Sequence, residues 1–104
     1  MDKNVIVIGN TLDETFNYVM SISKDIRMAS FRMRRVEADG CIYRIFSMAG
    51  QGWYNSLRGC RASEVWVDIK LYLDEDIINS LIQTATYRIE NIYLYDSYNI
   101  REYK

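Results

Sequence analysis

A chain of 104 residues with a formal net charge of −1 is long enough for one folded domain and too short for two. Apolar residues make up 49% and charged residues 26%, which excludes a disordered chain, and the net charge near zero excludes a generally basic nucleic-acid binder. Histidine is absent and there are 2 cysteines, so we expect no catalytic residue, no metal and no cofactor.

The compartment expected from the sequence is the cytoplasm. No apolar run approaches the roughly 20 residues that span a bilayer, so no membrane association is expected. The N-terminal apolar run, about four residues long, is shorter than the core of a signal peptide. Cys41 and Cys60 are expected to be reduced, partly buried thiols within a single domain over residues 1–104.

The first elements predicted are a strand over residues 4–9 and a helix. The strand is a β-branched run ended by glycine, typical of a buried strand. Thr11 and Glu14 match a capping box, in which each side chain satisfies a backbone N–H of the first helical turn. The helix is expected to end near Ser23 or to continue toward Arg27.

A basic segment follows the helix. Residues 29–36 alternate between apolar and polar side chains, which favours one strand with Phe31 and Met33 on one side and Arg32 and Arg34 on the other. The end of the helix is the alternative. Residues 38–40 read as a turn, and residues 41–46 as a further strand that forms a hairpin with the first or lies next to it.

The second half of the chain repeats the alternation of strand and helix. Residues 47–59 predict a loop with a helical turn at 53–57, residues 64–69 a strand, and Asp74 the N-cap of a helix with an apolar stripe over 77–85. Residues 88–95 predict a last strand, and residues 96–104 a frayed or docked tail. The expected fold is α/β, with a mixed or mostly parallel sheet of about five strands and two main helices.

The stretch over residues 54–68 resembles the magnesium-binding strand of phage large terminase ATPases and related helicases, which are P-loop enzymes. The preceding residues 40–47 resemble the strand before it in those proteins. The resemblance implies a phage-encoded P-loop relative in which the carboxylate at the end of the strand holds magnesium. The matching residues are Arg58, Gly59, Arg61, Ala62, Val65, Val67 and Asp68.

The departures from that family remove both halves of ATP hydrolysis. No Gly-Lys-Ser/Thr follows the first strand, and Asp13 and Glu14 would repel a phosphate. Ile69 stands where those enzymes place the glutamate that activates water. We therefore expect a degenerate, non-hydrolysing relative, with an active nucleotide-binding ATPase as an alternative. The vestigial nucleotide-site positions are Gly9, Asn10, Thr11 and Asp68.

The basic segment is a candidate nucleic-acid site. Its arginines would contact phosphates and its phenylalanine would stack on a base. The alternative is a solvated face whose charges pair with the acidic second half of the chain. The residues concerned are Arg27, Arg32, Arg34, Arg35 and Phe31.

The aromatic residues suggest a protein partner. On the last strand, Ile92 and Leu94 are expected to be buried, which would leave the alternating tyrosines free to bind a partner or a second copy. The function expected is a small non-catalytic interaction protein that binds or inhibits a protein partner. The partner-binding candidates are Trp53, Tyr54, Tyr93, Tyr95 and Tyr98.

Overall fold

The computed structural model describes residues 2–48, 57, 60–68, 75–85, 91–96 and 101–103. The elements in chain order are β1 (Lys3–Gly9), α1 (Leu12–Ile22), β2 (Ile26–Ser30), β3 (Arg35–Ala38), β4 (Cys41–Ser47), β5 (Glu64–Asp68), α2 (Glu75–Thr84), β6 (Ile92–Asp96) and β7 (Arg101–Tyr103).

All the described strands belong to one mixed sheet with the order β2-β3-β4-β1-β5-β6-β7. The inner strands β4, β1, β5 and β6 are parallel, whereas β2, β3 and β4 form an antiparallel meander and β7 runs antiparallel to β6. The α/β class and the mixed sheet are confirmed, and the sheet is larger than the five strands predicted.

The two helices cover opposite faces of the sheet. Val5 and Val7 point to the face packed by α1, here called the α1 face. Ile6 and Ile8 point to the other side, the α2 face, where they meet Leu81. Because β1 is buried on both faces, its side chains form a continuous apolar run rather than an alternating one.

Helix α1 begins and ends near the predicted residues. The Thr11 hydroxyl accepts a 3.2 Å hydrogen bond from the Glu14 backbone N–H and satisfies one donor of the first turn. At the other end the Ser23 hydroxyl donates a 2.6 Å hydrogen bond to the Val19 carbonyl. The helix therefore stops at Ser23 and does not continue to Arg27.

The single strand predicted over residues 29–36 is wrong. The chain forms β2, a turn over residues 31–34, and β3. The turn contains neither glycine nor proline: the Ser30 hydroxyl accepts a hydrogen bond from the Met33 N–H, and Arg34 takes a left-handed φ of 54°. The turn predicted over residues 38–40 is confirmed at Asp39 and Gly40, whereas Ala38 is the last residue of β3. β3 and β4 form the hairpin that this turn closes.

The predicted orientation of the last strand is also wrong. Tyr95 is 0% exposed, whereas Leu94 is 43% exposed. β6 lies inside the sheet between β5 and β7. The Tyr95 side chain packs into the core of the α1 face. Residues 101–103 of the tail are docked as β7. The predicted helical turn at 53–57, except Leu57, and the N-cap at Asp74 lie outside the described residues.

Candidate functional site

An open α/β sheet of this order would bind a ligand in a crevice at the carboxyl ends of β1 and β5. These parallel neighbours lie at the centre of the sheet, and the chain leaves them in opposite directions, toward β4 through α1 and toward β6 through α2. In open α/β sheets, ligands bind outside the carboxyl ends of strands at such a switch point. Gly9 ends β1 and Asp68 ends β5, so two of the positions predicted as a vestigial nucleotide site meet here.

Tyr95 fills the α1-face side of this switch point. It lies beside Asp68 in the pairing of β5 with β6. Its hydroxyl donates a 2.9 Å hydrogen bond to the Ile8 carbonyl, so the side chain reaches across β5 to β1. Its ring stacks on Tyr18 of α1, with ring centroids 4.3 Å apart and planes 20° apart.

Gly9 allows this close packing. A Cβ at position 9 would fall onto the Thr15 hydroxyl oxygen and lie 3.0 Å from the Tyr95 hydroxyl oxygen. The Thr15 hydroxyl donates a 2.6 Å hydrogen bond to the Thr11 carbonyl, which holds it in this position. The glycine that ends β1 therefore permits contact with the protein's own side chains.

The electrostatics of the crevice favour a neutral tyrosine. Burial is the main cause that raises the pKa of the Tyr95 phenol, and the nearby Asp68 carboxylate raises it further. Asp68 is only 2% exposed and Glu14 adds a second negative charge close by. A phosphate brought to this edge would meet acidic groups, which oppose the binding of an anion.

The other two positions predicted as vestigial are exposed. Asn10 and Thr11 lie at the surface between β1 and α1, and the side chain of Thr11 serves as the helix cap. Thr15 and Tyr95 were not predicted from the sequence as the side chains that fill the crevice. The one sequence signal for the position of Thr15 was its spacing of one helical turn from Thr11.

The predicted basic segment divides into two parts. Arg27 forms ion pairs with Asp2 at 2.6 Å and Glu37 at 2.7 Å, and Arg35 binds the other oxygen of Glu37 at 2.8 Å. The hydrogen bond from Arg27 is the main cause that lowers the pKa of the Glu37 carboxyl, and the bond from Arg35 adds to it. Two of the four candidate arginines, Arg27 and Arg35, are thus paired with carboxylates of the chain itself.

The other part is the turn over residues 31–34, here called the hairpin tip. Phe31 is 46% exposed and Met33 is 64% exposed, while Arg32 and Arg34 are exposed and have no ionic partner within the described ranges. The Phe31 ring packs edge-on against Phe16 of α1 at 5.4 Å. Apolar and cationic side chains therefore alternate on one small projecting turn.

The predicted partner-binding aromatic residues do not form one surface. Trp53, Tyr54 and Tyr98 lie outside the described residues. Tyr93 is half-buried against the core of the α1 face. The assignment of Tyr95 to partner binding is wrong, because its side chain is buried inside the chain itself.

Within the residues that the structure describes, no group of three or more Cys, Asp or Glu side chains could hold a metal ion. No described helix has both the length and the apolar character needed to cross a membrane. Comparisons with protein-family models, with curated proteins and with solved structures gave no match for this chain.

Proposed function

We propose that this protein is a non-catalytic interaction module that binds a protein partner through the hairpin tip. The observation that carries the proposal is the exposure of Phe31 and Met33 beside Arg32 and Arg34, whose guanidinium groups have no ionic partner in the described part of the chain. Aromatic residues, methionine and arginine are the types enriched where proteins bind each other.

The hairpin tip is held in one shape before any partner arrives. The Arg34 N–H donates a 3.0 Å hydrogen bond to the Phe31 carbonyl, and the Arg34 carbonyl accepts a 2.9 Å bond from Ile45 of β4. A preorganised turn loses less conformational entropy on binding than a disordered one. The partner that suits it has an apolar pocket with acidic side chains at the rim.

The filled crevice supports a role without catalysis. The Tyr95 hydroxyl and the Thr15 side chain occupy the space beside Gly9, and the charges of Asp68 and Glu14 act on the Tyr95 phenol. We keep a degenerate P-loop-like scaffold, encoded by a phage and working in the host cytoplasm, as part of the proposal. That part rests on the sequence likeness over residues 40–68, and the half-buried thiols of Cys41 and Cys60 suit a reducing compartment.

Nucleic-acid binding is the second candidate, favoured by the same exposed Arg32 and Arg34 beside an aromatic ring. The ion pairs of Arg27 and Arg35 with Glu37 count against it, because they reduce the charge available to phosphates. Fluorescence anisotropy with single- and double-stranded DNA and RNA at low salt tests it. Affinity that falls steeply with salt and is lost in Arg32→Ala/Arg34→Ala would favour this candidate over a protein partner.

Quantitative affinity capture from host lysate supplemented with untagged copies of this chain tests the proposal. The baits are the wild type, the tip variant Phe31→Ser/Met33→Ser, the charge variant Arg32→Glu/Arg34→Glu, and a control, Leu94→Ser, which changes an exposed apolar residue on β6. We expect one protein to be depleted at least about tenfold by both hairpin variants and retained by the control. Captured proteins that do not change among the four baits, or that are released by nuclease, would contradict the proposal.

A further inference from the structure

The strand β2 is an open edge of the sheet. It is the first strand in the sheet order and pairs only with β3 among the described strands. An edge strand presents unpaired N–H and C=O groups that can pair with another chain. The tyrosines of β6 were predicted to bind a partner or a second copy. β6 has β5 and β7 on its two sides and offers no such edge.

We infer that a second copy of this chain pairs antiparallel with β2, with Ala29 of one copy opposite Ala29 of the other. The inference rests on the proposed function, because it takes the β2–β3 hairpin as the binding surface and names its partner. An interface of this kind is isologous, so every contact away from the two-fold axis occurs twice. The result is a continuous sheet across two copies, which is strand addition between identical edges.

The faces of the side chains select this register. Ile26 and Ala29 pair with Ala38 and Val36 of β3, both of which belong to the core of the α1 face. Phe31 contacts α1 and so lies on the same side. Directly opposed residues of an antiparallel pair share a face of the sheet.

The irregularity in β2 aligns the ends. The register of β2 against β3 shifts between Ile26 and Met28, so Arg27 is an extra residue in the strand. With Ala29 on the two-fold axis, that extra residue brings Ile26 of one copy opposite Phe31 of the other. Ile26 is 40% exposed and Phe31 46% exposed in the single chain. Pairing therefore buries apolar surface in two equivalent contacts between Ile26 and Phe31, one on each side of the axis.

The charges at the two ends of β2 are complementary. Asp39 accepts backbone hydrogen bonds from Lys24 at 2.9 Å and Asp25 at 2.8 Å, which places its carboxylate at the start of β2. Asp25 adds a second acid there, against the single cation of Lys24. Antiparallel pairing brings the Arg32 end of one copy to this acidic end of the other. The guanidinium of Arg27 is held by Asp2 and Glu37 of its own chain.

Sedimentation equilibrium and light scattering from micromolar to submillimolar protein test the inference. We expect the wild type to reach about twice the 12.3 kDa mass of one chain as concentration rises. Because position 29 opposes itself, Ala29→Glu and Ala29→Lys should each be monomeric, and an equal mixture of the two should form a heterodimer. The control Leu94→Lys, an exposed position on β6, should dimerise like the wild type.

Circular dichroism and thermal melting check the fold of the position 29 variants, and we expect the wild-type fold because Ala29 is exposed. A wild type that stays monomeric throughout would overturn the inference. So would a dimer that is indifferent to the changes at Ala29, or one that the mixture of the two variants does not restore. If the monomer still captures a protein that the hairpin variants lose, the proposed function stands without this inference. If it captures none, both fall.

Discussion

The Tyr95 hydroxyl donates a 2.9 Å hydrogen bond to the Ile8 carbonyl, so a side chain from β6 closes the carboxyl end of β1. The bond reaches past β5, the strand between them, and ends where a doubly wound sheet would admit a ligand. The Tyr95 ring also stacks on Tyr18, so α1 packs against a side chain of β6. The Tyr95 side chain thus stabilises the core and also fills the place where a ligand would bind, which supports our proposal of a non-catalytic role.

Tyr95→Phe should destabilise the protein while leaving its fold intact. The variant loses the hydrogen bond to the Ile8 carbonyl and keeps the stacked ring, so the free energy of unfolding should fall by about 1 kcal/mol. Urea titration measures this change. Leu94→Thr, at the exposed neighbouring position, should stay within about 0.5 kcal/mol of the wild type. A Tyr95→Phe variant as stable as the wild type would show that the bond contributes nothing.

The buried phenol should also make the protein sensitive to alkali. Burial raises the pKa of Tyr95 above its ordinary value of 10.0, so above that pH the unfolded chain loses this proton while the folded chain keeps it. The folded state then binds more protons, and stability falls as pH rises, by up to about 1.4 kcal/mol per pH unit for this group. The decline of unfolding free energy above pH 10 should be less steep in Tyr95→Phe. Equal slopes for the two proteins would contradict the assignment.

Gly9→Ala should reveal the contact between β1 and α1. The new methyl group would collide with the Thr15 hydroxyl, at an expected cost of about 1–3 kcal/mol. In Gly9→Ala/Thr15→Ala the collision is relieved, so the double variant should lose less stability than the two single changes together.

Gly40→Ala is the comparison for that cycle. Gly40 has a φ of +75° and no atom within 4 Å of an added Cβ, so its cost is backbone strain of about 1 kcal/mol. The free energy of unfolding lost in Gly40→Ala should be the same with Thr15 present or replaced by alanine. Additive losses for Gly9 and Thr15 would argue against the collision.

The ion pairs of Glu37 should contribute to stability above mildly acidic pH. Arg27 and Arg35 lower the pKa of the Glu37 carboxyl below its ordinary value of 4.5. The contribution is therefore complete above that value and is lost as pH falls through the lower pKa of the folded state. The difference in melting temperature between the wild type and Glu37→Gln should shrink as pH falls from neutral to strongly acidic, and in high salt. A difference that is constant with pH would contradict this role of Glu37.

The sequence was sufficient to predict the parts of the fold that depend on local chemistry. The β-branched run of residues 4–9 predicted a strand buried on both faces, and Thr11 predicted the helix start. The turn over residues 31–34 was missed because its residues carry no glycine or proline signal. A left-handed Arg34 and the Ser30 hydroxyl form it instead.

The content of the candidate site could be predicted only in part. Gly9 and Asp68 were predicted to end two strands, and both lie at the carboxyl edge of the sheet because each ends an apolar strand. The alternation of Leu94 and Tyr95 has two possible phases, and only the position of α1 over the sheet decides which residue is buried. Contacts between distant parts of the chain set that position, so no local pattern reports it.

The thermal midpoint of unfolding with ATP and magnesium tests most directly the claim that the chain's own side chains fill the crevice. Nucleotide at about 100 times its dissociation constant would add about 2.7 kcal/mol, which in a domain of this size raises the midpoint by roughly 10–20 °C. If the side chains fill the crevice, we expect no shift at millimolar nucleotide and the same result for Asp68→Asn. A clear rise that Asp68→Asn abolishes would contradict it and place a working nucleotide site beside Tyr95.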